Sequence, residues 1–195
     1  MMVRNGRAER GTAETSVRVE LELDGSGRAE ISTGVGFFDH LLHLLAHHSG
    51  MDLRVEAKGD IWVDDHHTVE DTGLVLGRAL DGALGDRSNL TRFADASAPL
   101  IEALSTAVVD LGGRAHLTCN LGPMPEKIGG FDTELFPEFL RAFTQYGRFT
   151  LHLNCSYGEN AHHMVESGVK ALALALRAGF SPRTSGSAST KGIVD

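Results

Sequence analysis

The sequence predicts an α+β protein built from two repeated half-units. Each reads β-hairpin, helix, strand, helix, and together they are expected to pack as a sheet covered on one side by helices. Three observations lead there. The run His-His-x-Val-Glu stands at 66–70 and again at 162–166, ninety-six positions apart. Stretches of apolar/polar alternation precede each copy, and period two marks half-buried strands. Val69, Leu76 and Leu80 recur as Val165, Leu172 and Leu176 at the same offset, on the spacing of one helical face. Neither helix face can be buried alone, so the halves must pack together. The expected organisation is one domain over 1–195, with repeats at about 1–90 and 91–182 and a C-terminal tail at 183–195.

The elements follow in order. "TSVRVELELDGSGRAEIS" sets Val17, Val19, Leu21 and Leu23 against Arg18, Glu20 and Glu22, and Asp-Gly-Ser-Gly then turns the strand into a return strand. "FFDHLLHLLAHHSG" has apolar residues at 37, 38, 41, 42, 44 and 45 and is a helix closed by Gly50. "MDLRVEAKG" is a strand, and the first His-His-x-Val-Glu opens the helix that runs on through "DTGLVLGRALDGALG". "GDRSNLTRF" joins the halves. The order then repeats. "LSTAVVDLGGRAHLTC" is a hairpin-like pair around Gly112-Gly113-Arg114, "DTELFPEFLRAFTQYG" a helix, "RFTLHLNC" a strand and "ENAHHMVESGVKALALALRAG" the last helix. "SPRTSGSASTKGIVD" is Gly/Ser-rich without periodicity, so only a ligand or a neighbouring subunit gives it a reason to order.

Composition narrows the function. Of 195 residues, 42% are apolar and 23% charged, the balance of a soluble globular chain, and the net charge of −8 argues against general binding to nucleic acid. Cys119 and Cys155 are the only cysteines, so a disulfide framework is not expected and a reduced, cytoplasmic setting fits. There is no apolar run of membrane-spanning length and no apolar signal core at the N-terminus.

Eight of the ten histidines fall in three clusters: His40, His43, His47 and His48; His66 and His67; His162 and His163. Grouped with carboxylates, they point to a metal or proton-transfer site. On a helix, i and i+4 share a face, so His66 with Glu70 and His162 with Glu166 can each hold an ion. His67 and His163 point about 100° away, toward a different ion or a different chain. The order differs from HExxH, where the histidines themselves are i, i+4. One of the 40–48 histidines is expected to complete a coordination shell. Glu138 precedes His162 by 24 positions much as His40 precedes His66 by 26, which makes it the carboxylate analogue of His40. His116, His152 and Trp62 read as structural, Trp62 as packing between Ile61 and Val63.

"FFDHLLHLLAHHSGMDL", "DDHHTVEDTGLVLGRAL", "ENAHHMVESGVKALALALR" and the terminal "STKG" resemble the imidazoleglycerol-phosphate dehydratase family, along essentially the whole chain. The resemblance implies a ribosomal S5 domain 2-like fold and the dehydration of D-erythro-imidazole glycerol phosphate to imidazole acetol phosphate in histidine biosynthesis, via a metal-bound imidazolate. It also implies two manganese(II) ions per active site, at subunit contacts of a homo-oligomeric shell of 24 subunits. Carried over, the metal ligands are His40, His66, His67, Glu70, Glu138, His162, His163 and Glu166. Many members have His at the position of Glu138, and a carboxylate oxygen also suits manganese. Catalytic roles fall to Glu14, His48, Glu70 and Glu166. Substrate contacts fall to Glu14, His40, His48, His66, Glu70, Arg92, Arg114, His162, Lys170, Ser189, Thr190 and Lys191, with the cations gripping the phosphate. A metal-binding storage protein would explain the histidines but not these cations, and a metal-dependent phosphatase would release inorganic phosphate.

Overall fold

The computed structural model describes residues 4–183. Strands β1 (Asn5–Gly11) and β2 (Thr15–Glu22) form a tight hairpin, with Asn5 opposite Glu22 and Gly11 opposite Ser16. Next come β3 (Ala29–Ser32), α1 (Gly36–Ser49), β4 (Asp52–Gly59) and α2 (His66–Leu84). β4 lies antiparallel to β2 and parallel to β3, giving the order β1-β2-β4-β3. The second half repeats this layout. β5 (Phe93–Leu100) and β6 (Ala103–Asp110) form the hairpin, followed by β7 (His116–Asn120). A two-strand ribbon, β8 (Lys127–Ile128) with β9 (Phe131–Asp132), precedes α3 (Leu135–Gly147), β10 (Thr150–Tyr157) and α4 (Ala161–Phe180). The second sheet has the order β5-β6-β10-β7.

The mixed α+β class expected from sequence is present, and the strands divide between two four-stranded sheets where the pattern suggested one. The hairpins differ from expectation. β3 is not the return strand of β2, nor β7 of β6; β4 and β10 insert between them. A helix joins β3 to β4, and a connection of that length lets two strands lie parallel and adjacent, as a two-residue turn cannot. The true partners, β1 and β5, are edge strands reading "NGRAERG" and "FADASAPL". With one neighbour each and few large apolar residues, they carry little periodic signal.

α2 packs on β1 and β2, and α4 on β5 and β6; α2 meets α3, and α1 meets α4, across the seam between halves. Val17, Val19 and Val55 of one sheet and Ala107, Val109 and Leu153 of the other are buried beneath these helices, while Arg18, Glu20, Arg54 and Glu56 pair with one another on the first sheet's outer face. The α2–α3 seam is close enough to require glycine. A Cβ on Gly77 would lie 2.6 Å from the Gly147 N and 2.8 Å from the Phe143 O, and one on Gly73 2.7 Å from the Phe139 O. Gly50 ends α1 in the left-handed region, φ 78°, as its position in the sequence suggested. Among the described residues no helix is long and apolar enough to cross a membrane.

Candidate metal centre

The first turn of α4 sets the site. Asn160 has an extended backbone, and its side chain accepts hydrogen bonds from the His162 N–H at 2.9 Å and the His163 N–H at 3.4 Å. This satisfies donors that a helix start leaves without intrahelical partners. His162 and His163 therefore project from a fixed turn, with Glu166 one turn on. Because α1 packs against α4, His40 reaches the same carboxylate. His40 Nε2 and His162 Nε2 each lie 2.7 Å from Glu166 Oε1, and Lys170 Nζ donates to Oε2 at 3.1 Å. The Glu166 side chain is only 11% exposed. Burial by itself raises a carboxyl pKa, but hydrogen bonds from His40, Lys170 and His162 outweigh it and hold Glu166 at about 2. The group is an anion throughout the neutral range.

Phe37 walls the cluster, its ring 4.9 Å from that of His162 and 5.4 Å from Phe131. Phe37, His40, His162 and Glu166, together with Ile128, Gly129 and Gly130, line a cavity of about 550 Å³. His48 lies nearby at the end of α1; burial, then the neighbouring His47 and Lys170, push its pKa down, which favours the neutral imidazole.

The start of α2 carries a second group. His67 Nδ1 is 3.0 Å from Asp60 Oδ2 and 3.8 Å from Glu14 Oε2. The Asp60 hydrogen bond raises the His67 pKa, desolvation opposes it, and the Glu14 charge adds to the rise. His66 Nε2 stands 3.7 Å from Glu70 Oε2. On the α4 side, His163 Nδ1 lies 2.8 Å from Glu102 Oε2. Backbone N–H donation from Asn160, then the His163 contact, holds the Glu102 pKa at about 2.

The donor chemistry suits a divalent cation. His40, His162 and Glu166 offer two imidazole nitrogens and a carboxylate oxygen, all within 4.8 Å of one another, and so do Glu14, Asp60 and His67 with one imidazole and two carboxylates. Imidazole and carboxylate together suit manganese, iron and zinc alike.

Other expected residues lie apart from these groups. Glu138 pairs with Arg141, whose charge also interacts with Glu70. Arg92, with positive φ, holds Asp110 at 2.7 Å and lies over the Phe93 ring. Arg114 is exposed. Ser189, Thr190, Lys191 and the tail fall outside the described residues. Trp62, read as packing, is instead 82% exposed, with Ile61 and Val63 also exposed; it stands in the connection before α2, where none of the described residues of the chain covers it. His116 and His152 lie on exposed strand positions with rings 5.7 Å apart. Sequence reading overlooked Asp60 and Glu102. Asp60 is a buried acid that follows β4, ahead of the first motif, and Glu102 precedes β6 as Glu14 precedes β2. Comparing the two half-units position by position would have found the second.

Two sheets backed by paired helices, with histidine–carboxylate groups at the starts of α2 and α4, define a duplicated α+β scaffold with donors suited to a divalent metal. The sequence profile of the family described as imidazoleglycerol-phosphate dehydratase matches residues 33–176. The chain is 81% identical over 194 residues to the imidazoleglycerol-phosphate dehydratase of Rubrobacter xylanophilus, covering 100% of both, and 50% identical to that of Gluconobacter oxydans, covering 98% of each. A crystal structure of the Staphylococcus aureus enzyme superposes with a TM-score of 0.83 at 36% identity, covering 92% of this chain and 99% of that one. One from Pyrococcus furiosus gives 0.83 at 34% identity, covering 95% and 99%. The chain belongs to the imidazoleglycerol-phosphate dehydratase family.

Proposed function

We propose that this protein is a hydro-lyase of histidine biosynthesis that converts D-erythro-imidazole glycerol phosphate to imidazole acetol phosphate and water. Family membership supplies the reaction. The observation that carries it to a site is the convergence of His40 and His162 on one oxygen of a buried, anionic Glu166.

The reaction removes a hydroxyl from the carbon attached to the imidazole ring and a proton from the next carbon. That proton is not acidic, so the ring must donate electrons to expel the hydroxyl. His40, His162 and Glu166 would hold one divalent ion, and His66, His67, Glu70 and His163 belong to the proposed ligand set. Manganese bound there supplies Lewis acidity to the substrate's ring nitrogens. Glu138 joins the set if it exchanges Arg141 for the ion.

The chain's own groups account for the rest. Glu14 is an exposed carboxylate at the end of a tight hairpin, poised 3.8 Å from His67 Nδ1, and is assigned as the acid–base group that moves the carbon-bound proton. Lys170 is fixed by Glu166 and His48 is biased neutral beside it, which suits them to a phosphate oxygen and a hydroxyl proton respectively. Arg114, Arg92 with its guanidinium oriented by Asp110, and the tail residues Ser189, Thr190 and Lys191 are assigned to the phosphate. Holding that end fixes the reacting carbons in place.

Among the described residues of one chain the donors form separate groups rather than one bimetallic cluster. This supports a site completed between copies, in a homo-oligomer proposed to hold 24 subunits. Two free cysteines and a biosynthetic substrate support a cytoplasmic location. The single domain of two repeats, 1–90 and 91–182, with a substrate-binding tail, remains part of this proposal.

The test is direct. Purified protein supplied with manganese should convert imidazole glycerol phosphate to a product lighter by one water in the mass spectrum. Release of inorganic phosphate would favour a phosphatase, and an unchanged substrate would overturn the proposal.

A further inference from the structure

The two half-units are alike in layout, yet they hold their second histidine differently. Glu14 immediately precedes β2 and Glu102 immediately precedes β6, so the two glutamates occupy the same place in matching hairpins. His67 and His163 occupy the same place in matching helices. In the first half, however, Asp60 takes His67 Nδ1 at 3.0 Å and Glu14 stays back at 3.8 Å, exposed. Gly158 matches Gly59, since a Cβ on either would run into the third residue of its motif, Thr68 or Met164, and into the first residue of its hairpin's second strand, Thr15 or Ala103. The residue that corresponds to Asp60 is therefore Glu159, which is exposed and meets Glu102 through its backbone N–H.

Glu102 is the carboxylate that takes His163. Its Oε2 accepts from His163 Nδ1 at 2.8 Å, and its Oε1 accepts from the Asn160 N–H at 2.9 Å and the Glu159 N–H at 3.3 Å. Both oxygens are therefore committed. A carboxylate that takes the Nδ1 proton fixes the imidazole tautomer, leaves Nε2 with its lone pair outward, and raises its basicity as a ligand. We propose that Glu102 and Asp60 are positioning residues that present His163 and His67 to a divalent cation, and that Asp60, by taking over the carboxylate task in the first half, frees Glu14 to move protons. Two glutamates at equivalent places have thereby diverged, one into support and one into chemistry. The inference rests on the proposed metal-dependent reaction for the role of Glu14, but not for the role of Glu102.

Manganese titration of the full-length, chelator-stripped chain tests it without substrate. In Glu102→Gln, the amide oxygen can keep the two backbone donors, which preserves the connection into α4 and the melting temperature. Its NH2 then meets Nδ1 and selects the tautomer with the proton on Nε2. Manganese affinity should fall by roughly 10- to 100-fold at one class of site, and Asp60→Asn should lower it similarly. Glu14→Gln should bind manganese like the parent while losing turnover. Wild-type manganese affinity in Glu102→Gln would overturn the proposal. So would an equal loss of affinity in Glu14→Gln. If the parent chain fails to dehydrate imidazole glycerol phosphate but Glu102→Gln still loses manganese, the functional reading falls and the positioning role stands.

Discussion

Replacing Glu166 with Gln removes the charge at the meeting point of three side chains while keeping their shape. The carboxylate accepts from two imidazoles on one oxygen and from the Lys170 ammonium on the other. Glutamine offers only one acceptor, so its NH2 must face either Lys170 or the two Nε2–H groups. With Lys170 only 18% exposed, a donor left without an acceptor there costs about 1–3 kcal/mol. Metal-free Glu166→Gln should therefore lose about 1–3 kcal/mol of stability and unfold at a lower temperature. Loss of an anionic donor should weaken manganese binding by about 100-fold, equivalent to about 2.8 kcal/mol. Because His162 acts on the same oxygen, adding His162→Ala to Glu166→Gln should cost less than the sum of the two single changes. Calorimetric titration with manganese, and thermal unfolding in excess chelator, read the two effects separately. If Glu166→Gln bound manganese with parental affinity, the α1–α4 cluster would not be a metal centre and the reasoning would fail.

Three further outcomes are open to measurement. Glu138→Ala should weaken manganese binding by about tenfold while Glu138→His retains it; equal affinities would assign Glu138 to its Arg141 pair alone. Gly77→Ala should destabilise the fold by up to about 2 kcal/mol in denaturant titrations, because helical propensity favours alanine by about 1 kcal/mol but the new Cβ is driven into the α3 backbone at a cost of about 1–3 kcal/mol. Asp52 accepts from the Arg28 side chain, which does most to hold its pKa well below the usual carboxylate range; desolvation opposes this, and the Ser26 and Arg28 backbone N–H groups add to the lowering. A lowered carboxylate pKa stabilises above the unfolded value, near 3.9, and that contribution disappears as pH falls through the folded value. Asp52→Asn should thus lower stability at pH 7 by about 1 kcal/mol, limited by solvent around the exposed Arg28, and the gap to the parent should close below about pH 4. A gap that persisted into acid would refute the assignment.

The residues that announced themselves in the sequence are those whose pattern is local. The helices of the His-His-x-Val-Glu motifs, the Gly50 stop and the buried faces of β2 and β4 all follow from spacing within a dozen residues. The i, i+4 relation of His162 and Glu166 was legible for the same reason. Pairing was not. β3 and β7 sit in the sheets where a helical crossover puts them, and a periodicity argument cannot see the strand inserted beside them. The edge strands β1 and β5 turn only small residues such as Ala8, Ala94 and Ala96 to the core, and these give little apolar signal. His40 meeting Glu166 depends on α1 crossing α4, a contact between residues 126 positions apart. Glu102 was hidden because its partner lies 61 residues on; only the match between the two hairpins gives it away. Trp62 misled because apolar neighbours usually signal burial, and here they line a connection that the described residues of the chain leave exposed.

The glycine-lined seam has a mechanical consequence. With Gly73, Gly77 and Gly147 letting the backbones of α2 and α3 come into contact, that joint between the half-units has little room to shear or compress at these positions. It behaves as a weld rather than a hinge. Accommodation of an incoming molecule then falls to individual side chains and to the connections around the cavity. The spacing between the α2 and α4 histidine turns should be identical whether the protein is empty or loaded.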